Sequence, residues 1–106
     1  MADAESLMAG MRSRVDALRS LGYRVRFDLT DTEESILLDA TGGGAPTIEA
    51  AGAAEEADTV LRLSAADAEK LVNGKLSPML AFSTGRLKVE GSKGVAMKLA
   101  GLLDED

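Results

Sequence analysis

The spacing of hydrophobic positions changes several times along the chain, and it begins with the three- and four-residue spacing of a helix. This spacing predicts one amphipathic helix over residues 4–21. Asp3 is its predicted N-cap and Gly22 its end. The apolar positions of this helix are Ala4, Leu7, Met8, Met11, Val15 and Leu18.

Strict alternation of apolar and polar residues then predicts a strand. Val25, Phe27 and Leu29 alternate with charged neighbours, which is typical of a strand that is buried on one face only. Short runs of the same kind predict further strands, and the full set is 23–30, 35–40, 46–52, 59–64 and 86–90. Few turn residues separate the first three strands, so we expect them to form antiparallel hairpins.

Serines begin two short helices between the fourth and fifth strands. Ser64 is followed by Asp67 in the pattern of a capping box, which predicts a helix over residues 65–72. Ser77 is followed by proline and predicts a second helix, which Gly85 ends. The part of this helix that reads Met-Leu-Ala-Phe, residues 79–82, is apolar almost all the way round.

The predicted final helix, residues 94–103, is apolar on two sides. Val95, Leu99 and Leu102 share one face, and Met97 projects from the opposite face. A helix of this kind is expected to be covered on both sides, by the sheet on one side and by another helix or a cavity on the other.

The order of the elements predicts an α+β fold. The natural solution is a five-stranded, largely antiparallel sheet with helices covering one face. No internal repeat or linker divides the chain, so we expect residues 1–106 to form a single domain.

The chain contains no cysteine and no histidine. This composition excludes disulfides, thiolate nucleophiles, Cys/His zinc sites and Ser-His-Asp triads. No constellation of carboxylates, lysines and hydroxyls points to catalysis, and neither a metal site nor a cofactor is predicted.

The net charge of −6 is unevenly distributed. Residues 27–64 hold nine acidic groups and one basic group, whereas residues 65–103 hold six basic and three acidic groups. No basic stripe is interleaved with aromatic residues, so nucleic acid is not an expected partner. The amino terminus lacks the pattern of a secretion signal, and no apolar run approaches the ~20 residues of a membrane span, so the expected location is the cytoplasm.

Glycine-rich stretches resemble phosphate-binding loops only superficially. TGGGAPT, residues 41–47, is followed by neither a lysine nor a helix and is interpreted as a hairpin loop. NGKLS, residues 73–77, lacks the earlier glycine of a Walker loop. GSKG, residues 91–94, could hold an anion at a helix start, but simple helix initiation is the favoured interpretation.

Residues 58–103 resemble the carboxyl-terminal half of the sterol carrier protein type 2 family. The similarity is collinear along this whole segment, and the preceding half agrees in the order of its elements. The residues that carry it are Asp67, Gly74-Lys75, Pro78, Ala81-Phe82, Gly85, Leu87-Lys88, Gly91, Gly94 and Ala96-Met97-Lys98-Leu99.

The resemblance implies that the helices and the sheet enclose an apolar tunnel, which binds fatty acid, fatty acyl-CoA, sterol or phospholipid. The helix after Ser77 and the final helix would border it. The residues expected to line the tunnel are Leu7, Met8, Met11, Leu71, Met79, Phe82, Val95, Met97, Leu99 and Leu102. The candidate polar anchors, for which ordinary solvated cations are the alternative interpretation, are Lys75, Arg86, Lys93 and Lys98.

Two features depart from the family pattern. The family often has two adjacent aromatic residues where this chain has Phe82-Ser83, so the shape of the cavity is expected to differ. The chain ends in LLDED, without the peroxisomal ending of eukaryotic members, which favours a cytoplasmic location.

Three functions follow as hypotheses. The first is a non-enzymatic carrier that binds and transfers lipid and makes transient contact with membranes. The second is a ligand-free interaction module, such as a homodimer that forms through the helical face around Met8 and Met11. The third is an enzyme, for which Asp39 and Tyr23 are the residues to mutate first.

Overall fold

The computed structural model of the protein describes residues 4–42, 44–52 and 55–103. The predicted cap Asp3 and the acidic end of the chain lie outside these residues, as do residues 43, 53 and 54. The elements are α1 (Ala4–Arg12), α2 (Val15–Leu18), β1 (Arg24–Leu29), β2 (Ser35–Asp39), β3 (Thr47–Ala51), β4 (Thr59–Leu63), α3 (Ala65–Val72), α4 (Pro78–Ser83), β5 (Lys88–Gly91) and α5 (Lys93–Leu103).

The prediction of one helix over residues 4–21 is wrong, because the helix is interrupted between α1 and α2. The Ser13 hydroxyl donates a hydrogen bond to the Gly10 carbonyl at 2.6 Å, and the Arg14 amide donates to the Met11 carbonyl. Short-range bonds of this kind compete with the regular helical pattern. The apolar spacing survives the break, since Leu7, Met11 and Leu18 are all buried.

The five strands form one sheet in the order β3-β2-β1-β4-β5. The two predicted hairpins are confirmed, because β1 pairs antiparallel with β2 and β2 pairs antiparallel with β3. β4 pairs parallel with β1 on its other side, and β5 pairs antiparallel with β4. The sheet is therefore largely antiparallel with one parallel pair, and the expected α+β class is confirmed.

The inner face of the sheet carries the core. Opposite residues of neighbouring strands lie on the same face, so Phe27 lies between Ile36 of β2 and Leu61 of β4. Helices cover this face, with α1 against β2 and β3 and α5 against β4 and β5. The largest fully buried side chains are Phe27, Leu7, Met11, Leu18, Leu21, Leu29, Ile36, Leu38, Leu63, Leu99, Leu103 and Val25.

Serine side chains cap the three helices of the second half. Ser64 accepts a hydrogen bond from the Asp67 amide at 3.1 Å, and Ser77 accepts from the Leu80 amide at 3.5 Å, as the sequence predicts. Ser92 caps α5 by accepting from the Val95 amide at 3.2 Å. Each bond satisfies one of the free amides at a helix start.

Gly91 fixes the junction between β5 and α5. Its φ is +83°, and a Cβ at this position would lie 2.8 Å from the backbone oxygen of Asp58. Only glycine accepts both the left-handed backbone and this close approach. The junction therefore determines where α5 begins relative to β4.

Candidate functional site

The most exposed apolar surface of the described residues is on α4. Met79, Leu80 and Phe82 are 72%, 53% and 50% exposed. Only Ala81 of this helix is buried, and it is fully so. Because single exposed apolar residues are ordinary on proteins, it is the concentration of three large ones on six residues that marks this helix.

Local sequence explains why the segment forms a helix. Ser77 is its N-cap, and Pro78 occupies its first turn, where the missing amide costs nothing. Gly74 and Gly85, with φ values of +74° and +79°, turn the chain before and after it. α4 is therefore a short helix between two glycine turns.

α4 attaches to the core through one small residue and its flanks. The Ala81 carbonyl accepts hydrogen bonds from the amides of Arg86 and Leu87, at 2.9 and 3.1 Å. Leu76 before the helix and Leu87 after it are buried. The helix is held at both ends while its three large side chains face away from the core.

α5 has one buried face and one exposed methionine. Val95, Leu99 and Leu103 are buried, whereas Met97 is 67% exposed. Of the two coverings expected for the Met97 side, a second helix is not found among the described residues, and a cavity stays a prediction. No described element packs over Met97 as the sheet packs over the opposite face.

The ten residues expected to line a tunnel fall into three groups by burial. Leu7, Met11, Leu71, Val95 and Leu99 lie in the packed core, and Met8 and Leu102 pack half-buried against it. Met79, Phe82 and Met97 are exposed. Leu80 was not among the ten, although the unbroken apolar run of residues 79–82 was the signal that could have included it.

The four candidate anchors are all exposed, and they differ in their partners. The Arg86 guanidinium forms an ion pair with Asp67, with Nη2 and Oδ1 2.5 Å apart and Nε and Oδ2 3.3 Å apart. Lys98 lies with its Nζ 5.4 Å from the centre of the Tyr23 ring. Lys75 and Lys93 have no ion pair with any residue that the structure describes.

The ion pair with Arg86 also affects the Asp67 carboxyl. Its hydrogen bonds hold the pKa of Asp67 below the usual range, and the positive charge acts in the same direction. Arg86 is therefore engaged in joining the start of α3 to the segment after α4. Lys75 and Lys93 are freer to meet an anionic group.

The outer face of the sheet is charged and paired. Arg26 holds Asp28 through two hydrogen bonds of 2.8 and 3.0 Å, and Ser35 donates to the same carboxylate. Partial burial alone would raise the pKa of Asp28, but the bonds from Arg26 and Ser35 and the nearby Arg62 lower it. Arg24 lies 3.5 Å from Asp39 on the same face.

A cavity of about 520 Å³ also opens on this outer face. It is lined by Arg24, Arg26, Glu55, Glu56, Ala57, Asp58 and Val60. Its lining is mainly charged, and it lies on the side of the sheet away from the core. It is therefore not the predicted apolar tunnel.

Among the described residues, the two side chains named for an enzymatic test form no hydrogen bond with each other. Asp39 accepts hydrogen bonds from Thr41 on the outer face, and these lower its pKa, whereas Tyr23 is exposed beneath Lys98. Within residues 4–42, 44–52 and 55–103, no three acidic side chains come together in a way that could hold a metal ion. None of the described helices has the length and apolar character needed to cross a bilayer.

Comparison with known proteins identifies relatives for both the sequence and the fold. The SCP-2 sterol transfer family matches residues 5–104. Hydroxysteroid dehydrogenase-like protein 2 from Bos taurus is 39% identical over 51 residues, which are 48% of this chain and only 12% of the bovine protein. The matched segment is thus a small part of a much longer relative.

Solved structures share the fold. Sterol carrier protein 2 from Yarrowia lipolytica, in its apo form, has a TM-score of 0.67 at 24% identity, over 94% of this chain and 85% of that one. Sterol carrier protein 2 from Aedes aegypti, solved in complex with palmitate, has a TM-score of 0.74 at 13% identity, over 94% and 93% of the two chains. The structural likeness concerns the arrangement of elements, while the family match extends over nearly all of the sequence. The chain therefore belongs to the SCP-2 sterol transfer family.

Proposed function

We propose that this protein is a non-enzymatic carrier that binds a lipid against the apolar side chains of α4 and α5 and transfers it between membranes. The observation that carries the proposal is the exposure of Met79, Leu80 and Phe82 on a helix whose only buried residue is Ala81. Membership of the SCP-2 sterol transfer family supports a lipid as the molecule that covers them. Residues 1–106 would act as one lipid-binding domain in the cytoplasm.

The hydrophobic effect is large enough for such binding. Moving about 15 methylene groups of an acyl chain out of water contributes on the order of 12 kcal/mol before costs, at ~0.8 kcal/mol each. Immobilising the ligand and ordering side chains offset a large part of this gain. A carrier needs apolar contact area and one polar anchor, and it needs no catalytic group.

The attachment of α4 suggests how an acyl chain reaches the interior. The helix contacts the core through Ala81, and its ends are glycine turns. A small displacement of α4 would open the space beneath it at Ala81 and at the flanking Leu76 and Leu87, which are buried in the described structure. A single acyl chain would then contact both the buried and the exposed residues of the predicted lining.

A fatty acid, a fatty acyl-CoA or a phospholipid carries an anionic group that a basic residue can hold. Lys75 and Lys93 are the favoured anchors, because Arg86 already pairs with Asp67 and Lys98 lies over Tyr23. The bound palmitate of the Aedes aegypti protein is the kind of ligand that this arrangement fits. A sterol, which has no charge, would use the apolar surface without an anchor.

The alternative is a ligand-free interaction module, such as a homodimer. The face around Met8 and Met11 is a poor contact surface, because Met11 is buried and Met8 packs against the core. A protein partner would instead cover α4. The same apolar exposure supports this reading, so the test must distinguish lipid from protein.

Native mass spectrometry of the protein as purified from its expression host makes that distinction. The proposal predicts a mass adduct that unfolding releases as an extractable lipid, which also identifies the lipid class. A protein that carries no adduct and fails to bind a fluorescent fatty acid added later would contradict it. A dimer without any lipid would support the interaction module.

A further inference from the structure

One ion pair joins the segment after α4 to the start of α3. The Arg86 guanidinium makes two parallel contacts with the Asp67 carboxylate, Nη2 to Oδ1 and Nε to Oδ2. This arrangement is the stronger form of such a pair, because its geometry allows two charge-assisted hydrogen bonds. The side chain of Asp67 is 16% exposed and that of Arg86 is 42% exposed. The pair is therefore partly shielded from water and from screening by salt.

Asp67 is the fixed partner of this pair. It lies in the first turn of α3, which packs against α1. The Ala65 amide at the start of α3 donates a hydrogen bond to the Asp31 carboxylate at 3.0 Å. The buried residues of α3 are Ala65, Ala68, Leu71 and Val72. Because core packing, a cap and this bond all hold α3, the Asp67 carboxylate stays in place while its partner moves.

Arg86 is the moving partner, because its backbone is bonded to α4. Its amide donates a hydrogen bond to the Ala81 carbonyl at 2.9 Å, and the Leu87 amide donates to the same carbonyl at 3.1 Å. The end of α4 and the backbone of Arg86 therefore move together. The hydroxyl groups of Ser83 and Thr84 donate to carbonyls of α4, so these bonds do not hold the helix to the rest of the protein.

The burial of α4 gives the helix little hold on the core. Ala81 is its only buried residue, and one methyl group removes little apolar surface from water. Leu76 and Leu87 are buried at its two flanks, whereas its large side chains are exposed. An ion pair that would matter little on a well-packed helix is therefore a large share of what keeps α4 on the core.

We infer that the ion pair of Arg86 with Asp67, called here the closing pair, keeps α4 closed and thereby sets the rate at which a lipid enters and leaves. The inference rests on the proposed carrier function, since the lipid would pass through the space that a displaced α4 opens. Both residues are positioning residues, and neither contacts the ligand. The closing pair forms in the empty and in the loaded closed state, so breaking it speeds entry and exit alike and leaves the affinity unchanged.

Stopped-flow fluorescence measures both rates. Delipidated protein is mixed with a fluorescent fatty acid to obtain the association rate constant, and the complex is mixed with excess palmitate to obtain the dissociation rate constant. We expect Asp67→Asn and Arg86→Gln each to raise both rate constants by about three- to tenfold, as for a well-formed but partly exposed pair. The Kd should change by less than about twofold. The double variant should be no faster than either single variant, because both substitutions remove the same interaction.

Matched variants and a measurement without ligand separate the closing pair from general effects. Glu90→Gln breaks an exposed ion pair with Arg62 on the outer sheet face and should leave both rates unchanged. Arg86→Lys keeps the charge but not the two parallel bonds, so its rates should lie between those of the wild type and Arg86→Gln. In amide hydrogen exchange, the amides of α4 should exchange faster in Asp67→Asn than in the wild type, whereas those of β2 should not.

The pattern of changes distinguishes the closing pair from other roles. If Arg86 held the anionic group of the ligand, Arg86→Gln would weaken binding and Asp67→Asn would strengthen it, and this opposite response would overturn the inference. Additive effects of the two substitutions, or unchanged rates in a wild type and variants that all bind fatty acid, would overturn it and leave the carrier function standing. Faster exchange of the α4 amides in Asp67→Asn, in a protein that binds no fatty acid, would uphold the hold on α4 and contradict the carrier.

Discussion

The two phenylalanines of the chain lie in opposite surroundings. Phe27 is fully buried at the centre of the sheet, between Ile36 and Leu61 on the neighbouring strands. Phe82 lies on α4 and exposes half of its surface. The first is surrounded by protein on every side, and the second is surrounded by protein on one side only.

The comparison separates a side chain that stabilises the fold from one whose exposure calls for a functional explanation. A buried aromatic side chain stabilises the fold through lost water contact and close packing. An exposed one contributes little to folding, so its presence beside exposed Met79 and Leu80 requires another explanation. The charged outer face of the sheet strengthens the contrast, because exposed groups there have partners within the protein whereas the apolar groups of α4 do not.

Replacing each phenylalanine by alanine is the largest test of this contrast. Phe27→Ala should lower the free energy of unfolding by about 3–5 kcal/mol, because it leaves a cavity in the centre of the core. Phe82→Ala should change it by less than about 1 kcal/mol. Urea unfolding followed by circular dichroism measures both, and similar losses for the two variants would break the comparison.

Enlarging Ala81 tests whether α4 is held through that one residue. Ala81→Leu should destabilise the protein by about 1–3 kcal/mol, because the site is fully buried and has no room for the larger side chain. Ser83→Leu, at an exposed position two residues along, is the matched control and should have little effect. If both variants unfold at the same urea concentration, α4 is not anchored as described.

The charged outer face should show itself in the pH dependence of stability. The pKa of Asp28 is lowered in the folded protein by Arg26 and Ser35 despite partial burial, so the folded state releases its proton more readily than the unfolded state. The resulting stabilisation is fully present above about pH 4 and is lost as the pH falls through the lowered value. Lowered pKa values of Asp39 and Asp67 act in the same direction.

Asp28→Asn should remove part of this pH dependence. We expect the variant to lose about 1 kcal/mol at neutral pH, where the wild-type carboxylate is ionised, and correspondingly less in acid. Thermal melting from pH 7 down to pH 3 measures the effect. A variant whose stability differs from the wild type by the same amount at every pH would contradict the assignment.

Much of the fold could be predicted because local patterns and global structure agree. Alternation over residues 23–30 located β1, and the cap residues Ser64 and Ser77 located two helices. The parallel pairing of β4 with β1 could not be predicted in this way, since it depends on how the chain crosses the sheet after β3. The break between α1 and α2 was missed because the apolar spacing continues through it.

The site is harder to predict from the sequence than the fold is, and the reason is physical. The sequence shows that a residue is apolar but not whether protein or a ligand covers it. Leu99 and Met97 were therefore both predicted to line the tunnel, although Leu99 is buried and Met97 is exposed. Only the three-dimensional structure separates them. The tunnel belongs to the proposed function, since side chains fill the described interior.

Titration with a fluorescent fatty acid, followed by displacement with palmitate, tests the central claim most directly. The account predicts that the wild type binds with micromolar or better affinity and that Met79→Ser/Phe82→Ser binds about tenfold more weakly, while Leu37→Ser on the outer face binds like the wild type. Equal affinity of all three proteins, or no displaceable binding by the wild type, would contradict the claim that α4 forms part of a lipid site.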